Sequence, residues 1–189
     1  ELFDVKSIKS PQKIALVGGG PASLSAAVLL TQAGHQATIF EKNTYLGGLN
    51  SDGVANYKLS FKESHFEIDW LMAFGIKVNL STNVTPALAE SLLDKYDALF
   101  LGIGAGRDRR HEKAIGALEL INRSKTDPSF QLNDTRSAYV IGGGNTAMDA
   151  ARALKNLGVK EVTVLYRRKY ADMSAYKHED RKSTRLNSS

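Results

Sequence analysis

Two glycine-rich turns carry the clearest chemical signal in this sequence. Each follows a short apolar run typical of a buried strand and precedes a helical pattern. A turn of this kind at a helix N-terminus presents backbone N–H groups to a pyrophosphate. Two such turns on one chain predict two bound dinucleotides with electron transfer between them. The turns are Gly18-Gly19-Gly20-Pro21-Ala22-Ser23 and Gly142-Gly143-Gly144-Asn145-Thr146-Ala147.

The residues that follow the second strand of each unit differ in charge. Glu41 follows the strand after the first turn, where a carboxylate accepts hydrogen bonds from an adenosine ribose without a 2′-phosphate. In the second unit, Arg167 and Arg168 follow Tyr166, and guanidinium groups suit a 2′-phosphate. This asymmetry favours FAD at the first turn and NADPH over NADH at the second. A solvated basic turn remains the alternative interpretation of the two arginines.

The apolar periodicities predict an α/β fold with parallel strands, organised as two Rossmann-like dinucleotide-binding units. In the first part we expect strands over 13–17, 37–40, 76–80 and 97–101, and helices over 21–33, 62–74 and 87–95. In the second part we expect strands over 138–141 and 161–166 around a helix over 145–157. Residues 122–136 are rich in Asn, Ser, Asp and Thr and contain Pro128, which indicates a linker or a domain crossover.

Composition excludes several classes of site. The 189 residues include no cysteine, so this sequence holds no disulfide, zinc–thiolate site, cysteine-ligated iron–sulfur cluster or dithiol pair of the thioredoxin reductase kind. No run of 18 apolar residues occurs, so we expect no membrane span and a cytoplasmic location. The net charge of +5 comes without a basic stripe interleaved with aromatics, so we expect no nucleic-acid partner. Arg107, Arg109, Arg110 and His111 indicate a solvated loop.

Both ends of the sequence look unlike the rest. Residues 180–189 are polar and resemble translated adapter sequence, so we expect a non-native tail. The sequence opens on Glu1 without an initiator Met, which indicates truncation there as well.

Further motifs accompany the two turns in a fixed order. They are Phe40-Glu41-Lys42, Leu46-Gly47-Gly48-Leu49, Tyr57-Lys58-Leu59, Leu101-Gly102-Ile103-Gly104-Ala105-Gly106 and Tyr166-Arg167-Arg168. Together, over about residues 13–179, they resemble the NAD(P)H/FAD electron-input module shared by the small subunit of bacterial glutamate synthase and by dihydropyrimidine dehydrogenase. The resemblance implies an FAD-binding fold interrupted by an NAD(P)H-binding fold. Residues 1–125 would be an FAD unit without its returning segment, and residues 135–179 the start of a truncated NAD(P)H unit.

The resemblance also implies roles for particular residues. FAD would contact Gly18, Gly20, Pro21, Ala22 and Ser23 through its pyrophosphate, Glu41 and the adjacent Lys42 through its adenosine, and Gly48, Leu49, Lys58, Gly104 and Ala105 elsewhere. Lys58 stands where the family often has Arg. The nicotinamide dinucleotide would contact Gly142, Gly144, Asn145, Thr146, Arg167 and Arg168.

The implied activity is hydride transfer from NAD(P)H to FAD. Electrons would continue to iron–sulfur centres of a partner domain or subunit, which lie outside this sequence. The cofactors carry this chemistry, so no side chain is required as a catalytic acid or base. We expect Asp149 to be a local cap or packing partner. The alternative is a non-catalytic nucleotide-binding scaffold or sensor subunit, and the final electron acceptor stays open.

Overall fold

The structure, a computed structural model, describes residues 4–105, 111–169 and 172–174. The predictions for Arg107, Arg109 and Arg110 and for the tail over 180–189 lie outside these residues. The elements in chain order are β1 (Lys13–Val17), α1 (Pro21–Gln32), β2 (Gln36–Phe40), α2 (Leu49–Asp52), α3 (Phe61–Met72), β3 (Lys77–Asn79), α4 (Pro86–Leu93), β4 (Ala98–Leu101), α5 (Ala117–Thr126), β5 (Ser137–Ile141), α6 (Asn145–Asn156) and β6 (Glu161–Leu165). The predicted α/β architecture with parallel strands is confirmed.

The chain divides into two compact units, each built from two segments. The first unit comprises residues 1–51 and 61–106, and the second comprises residues 52–60 and 107–189. We call residues 52–60 the strap. They belong to the second unit, although the residues on either side of them in the sequence belong to the first. The predicted boundary near residue 125 differs from this division, because α5 packs against α6 in the second unit.

The linker prediction for 122–136 is wrong over its first five residues, which form the end of α5. Helix α5 is amphipathic: it buries Leu120 and Ile121, whereas Glu119, Arg123 and Thr126 are exposed. The polar composition that indicated a linker therefore belongs in part to the exposed face of a helix.

The first unit is built on a four-stranded parallel sheet in the order β3-β2-β1-β4. Strand β1 pairs with β2 on one side and β4 on the other, so Ile14 lies opposite both Ala37 and Ala98. Its run Ile14 to Val17 is buried on both faces, as the continuous apolar pattern predicts. Because the strand order reverses at β1, the carboxyl ends of β1 and β4 form the kind of crevice in which open α/β sheets bind ligands.

A hydrophobic core fixes this sheet against its helices. Leu16 and Ile39 are fully buried at its centre, where α1 contributes Leu24 and Ala27 and α3 contributes Ile68. Full burial of a Leu or Ile side chain stabilises the fold by about 1.5–3 kcal/mol. This packing holds the N-terminus of α1 at the carboxyl end of β1.

The second unit pairs β5 with β6 in parallel, with Ala138 opposite Val162. Helix α6 lies on one face of this pair and buries Met148 and Leu154 in a cluster with Val140 and Val162. In the part of the chain that the structure describes, no helix is both long enough and apolar enough to cross a membrane.

Candidate functional site

The first glycine turn lies where three parallel strands end. The Gly18 N–H donates to the Phe40 carbonyl at 2.8 Å, and the Gly102 N–H donates to the Val17 carbonyl at 2.9 Å. Gly18 has a φ of 92°, and a Cβ there would lie 2.5 Å from the Gly102 carbonyl oxygen. Only glycine fits this position, because both the left-handed backbone and the neighbouring backbone exclude a side chain.

The N-terminus of α1 is open to a ligand. Gly20 is its N-cap and Pro21 its first residue, and no side chain among the described residues caps it. The N–H groups of Ala22 and Ser23 therefore have no intrahelical acceptor. A Cβ built on Gly20 would meet no atom within 4 Å, so space remains above the turn. Free donors, a positive helix end and open space together fit a pyrophosphate.

Dinucleotide-binding turns commonly follow the pattern Gly-x-Gly-x-x-Gly, and Ser23 stands at the third glycine of that pattern. Ser23 is fully buried, with its Oγ lacking a hydrogen-bond partner. The close approach of helix to strand that a glycine permits is provided here by Gly102. A Cβ on Gly102 would collide with the Ser23 Oγ. The departure from the glycine pattern in α1 is thus compensated at the end of β4.

Glu41 is held against the glycine turn by two short hydrogen bonds. Its Oε2 accepts from the Gly19 N–H at 2.6 Å and its Oε1 accepts from the Asn43 N–H at 2.7 Å. The side chain is 5% exposed, whereas the neighbouring Lys42 is exposed. Each carboxylate oxygen can accept a further hydrogen bond, so the group can also receive ribose hydroxyls.

The loop after β2 reaches the same helix end. The Gly47 N–H donates to the Gly19 carbonyl at 2.8 Å, and a Cβ on Gly48 would lie 3.0 Å from the Gly20 Cα. Leu49, the first residue of α2, is 55% exposed. Gly104 and Ala105 are exposed and follow β4. The structure thus gathers the turn, Glu41 and Gly48 at one end of the sheet.

The second glycine turn repeats this arrangement on α6. The Gly142 N–H donates to the Leu165 carbonyl at 2.9 Å, and Gly142 has a φ of 139°. Gly144 is the N-cap of α6 and has no side-chain cap among the described residues. Asn145 and Thr146 are the first two residues of this helix. The uncapped helix end fits a second pyrophosphate, but it is less open than the first, since a Cβ on Gly144 would lie 3.6 Å from the Ser174 Oγ.

Tyr166 supports the second turn in a way that the sequence prediction missed. Its ring lies directly against Gly143, where a Cβ would approach a ring carbon to 2.6 Å. Its hydroxyl donates to the Asp172 carbonyl at 3.0 Å. Arg167 and Arg168 follow and are both exposed, so they are free to reach a ligand from the end of β6.

Lys58, which the resemblance assigns to FAD, has a partner within its own unit. It lies on the strap, in the second unit, where its ammonium group pairs with Asp149 of α6. Asp149 is buried, consistent with the packing role predicted for it. The sequence gives no signal for a pair whose members lie so far apart along the chain.

The chain is similar to a known protein family and to several characterised relatives. Residues 9–184 match the family described as pyridine nucleotide-disulphide oxidoreductase. The chain is 31% identical to the glutamate synthase [NADPH] small chain of Escherichia coli, covering 93% of this chain and 41% of that protein. It is 32% identical to the NAD-dependent dihydropyrimidine dehydrogenase subunit PreT of Salmonella typhimurium, covering 90% and 43%. The resemblance predicted from the motifs is confirmed.

The chain is also similar to a further relative and to a solved structure. The beta subunit of the NADP(+)-dependent formate dehydrogenase of Moorella thermoacetica is 34% identical over 94% of this chain and 26% of that protein. The structure of FprA from Mycobacterium tuberculosis in complex with NADPH shares the fold, with a TM-score of 0.70 and 24% identity over 94% of this chain and 48% of that one. The chain spans less than half the length of each of these proteins.

Proposed function

We propose, on the premise that this chain belongs to the pyridine nucleotide-disulphide oxidoreductase family, that it is a flavin-dependent electron-transfer module. Its first unit would bind FAD and its second would bind NADPH or NADH. The observation that carries the proposal is the open N-terminus of α1 with the Glu41 carboxylate beside it. When bound, the nicotinamide supplies hydride and the flavin accepts it.

The first unit would hold FAD through its adenosine end. The α1 N–H groups of Ala22 and Ser23 would bind the pyrophosphate, and Glu41 would accept from the ribose diol. Gly48 lies against Gly20, so the loop after β2 would line the same pyrophosphate. Leu49, Gly104 and Ala105, which the resemblance assigns to the rest of the flavin, remain a prediction.

The second unit would hold the nicotinamide dinucleotide at the start of α6. Gly142, Gly144 and Thr146 would surround the pyrophosphate, and the exposed Arg167 and Arg168 favour a 2′-phosphate. The relatives' names mention NADPH, NADP(+) and NAD, so they favour neither dinucleotide. The preference for NADPH proposed for this chain therefore rests on the two arginines.

A partner would receive the electrons. Three relatives carry names that make them a chain or subunit of a larger enzyme. The described residues of this chain include no cysteine, so the iron–sulfur centres of the proposed route would belong to a partner domain or subunit. The final acceptor would be bound there as well.

A comparison of FAD with FMN tests the first unit directly. The full 189-residue chain is titrated with each flavin, and bound flavin is measured by fluorescence quenching. FAD binding at least tenfold tighter than FMN binding is expected, because FMN lacks the adenosine and one phosphate that α1 and Glu41 would hold. Equal affinities would overturn the assignment of the turn to the pyrophosphate. Absence of binding by either flavin would favour a non-catalytic scaffold or sensor.

A further inference from the structure

Two side chains of the strap, those of Lys58 and Tyr57, contact the carboxylate of Asp149 on α6. The Lys58 Nζ lies 2.9 Å from Oδ1 of Asp149 and 3.1 Å from its Oδ2. The Tyr57 hydroxyl donates to Oδ1 at 2.6 Å. The Arg152 guanidinium stacks on the Tyr57 ring, with Cζ 3.8 Å from the ring centroid. The Asp149 carboxylate therefore receives an ammonium group and a neutral hydroxyl from the strap.

The Asp149 carboxylate lies close to the end of α6 at which we propose that the dinucleotide binds, so its negative charge would weaken binding of a pyrophosphate. It is 6% exposed and is the fifth residue of α6. At 1.5 Å per residue it lies about 6 Å along the helix axis from Asn145. The dinucleotide pyrophosphate would bind at that helix end, and two negative charges at this range repel each other appreciably in a partly buried site. Lys58 supplies the charge that cancels the carboxylate.

Tyr57 donates as a neutral group. Burial, followed by its hydrogen bond to Asp149, raises the pKa of Tyr57 above its usual value of 10.0. The hydroxyl thus keeps its proton at neutral pH and adds no negative charge beside the carboxylate.

We infer that Lys58, assisted by Tyr57, is a positioning residue for the nicotinamide dinucleotide: it neutralises Asp149 one turn inside α6 and so keeps that helix end favourable to a pyrophosphate. This inference rests on the proposed function and moves Lys58 from the flavin to the second dinucleotide. The strap thereby contributes to the second site although it lies far from that site in the sequence.

Other contacts keep the strap in place when Lys58 is changed. The Lys125 Nζ donates to the Val54 carbonyl at 2.9 Å. A cavity of about 150 Å³ lies beside the strap, and its lining includes Asn56, Gln131 and Asp149. A water molecule at the polar side of this cavity could solvate the carboxylate. A Lys58→Met variant is therefore expected to fold, with the Asp149 carboxylate no longer paired with an ammonium group.

Calorimetric titration of the full chain with NADPH and NADH tests the inference, with bound FAD measured in parallel. Lys58→Met is expected to weaken dinucleotide binding about tenfold, because the Asp149 carboxylate would then repel the pyrophosphate without an ammonium group beside it. The double variant Lys58→Met/Asp149→Asn is expected to regain most of that loss, since it leaves no unpaired charge. Lys58→Arg and the exposed control Lys160→Met are expected to bind as the wild type does, and FAD affinity is expected to stay unchanged throughout.

Several results of this titration would contradict the role inferred for Lys58, and each has a different meaning. Equal dinucleotide affinities for Lys58→Met and Lys160→Met would overturn the inference, as would a double variant no better than Lys58→Met. Weakening by Lys58→Arg as large as that by Lys58→Met would exclude charge as the cause. Loss of FAD affinity alone in Lys58→Met would return Lys58 to the flavin. A wild-type chain that binds neither dinucleotide would overturn the proposed function and this inference with it.

Discussion

Replacing Glu41 with Gln isolates the charge that joins the first glycine turn to its proposed ligand. The carboxylate accepts from the N–H groups of Gly19 and Asn43 at 2.6 and 2.7 Å and is almost fully buried. A glutamine keeps the shape but offers only one oxygen, so one N–H faces a donor instead of an acceptor. Hydrogen bonds to charged groups contribute about 1.5–3 kcal/mol, so the free energy of unfolding is expected to fall by about that amount.

The same change is expected to weaken FAD binding. The ribose diol loses an anionic acceptor and the turn shifts to satisfy its N–H groups, so the Kd for FAD is expected to rise about tenfold to a hundredfold. Denaturant unfolding followed by circular dichroism measures the stability, and flavin fluorescence measures the Kd.

Glu90→Gln is the matched control for this experiment. Glu90 is exposed on α4, so its change is expected to alter stability by less than about 0.5 kcal/mol and FAD affinity not at all. A Glu41→Gln variant as stable as this control would refute the role of the two hydrogen bonds. A destabilised variant with unchanged FAD affinity would refute the placement of the ribose at Glu41.

Three further outcomes follow from the second unit. Gly143→Ala is expected to cost about 1–3 kcal/mol of stability because its Cβ would meet the Tyr166 ring; in a Tyr166→Ala background the cost should largely vanish, and additive losses in a double-mutant cycle would contradict the contact. Tyrosinate absorbance should show Tyr57 titrating above the usual range, with this titration absent in Tyr57→Phe and shifted toward the usual value in Asp149→Asn. Because the pKa of Tyr57 is raised on folding, its contribution to stability is present below pH 10.0 and is lost as pH rises through the higher folded pKa. Arg167→Gln/Arg168→Gln should raise the Kd for NADPH at least tenfold and leave that for NADH unchanged; an equal effect on both dinucleotides would exclude a 2′-phosphate contact.

Local patterns account for what could be predicted from the sequence. The run Ile14 to Val17, the left-handed turn at Gly18 and the apolar spacing in α1 each depend on neighbouring residues. Their elements agree with the prediction to within one or two residues. The position of Glu41 against the turn follows from the same local βαβ geometry.

Contacts between distant parts of the chain could not be predicted in this way. Lys58 and Asp149 pair across the sequence without any shared periodicity, and the fit of Gly102 to Ser23 depends on which strand lies beside β1. Helix α5 was not predicted, because residues 122–126 at its end have the polar composition of a linker. The assignment of two dinucleotide-binding units and of their individual contact residues stays a prediction.

Anaerobic reduction of the FAD-loaded full chain is the decisive experiment for hydride transfer from the nicotinamide to the flavin. Flavin absorbance is followed while NADPH, and separately NADH, is added. We expect NADPH to bleach the flavin bands at lower concentration than NADH does. Flavin that stays oxidised with both dinucleotides would contradict hydride transfer between the two units.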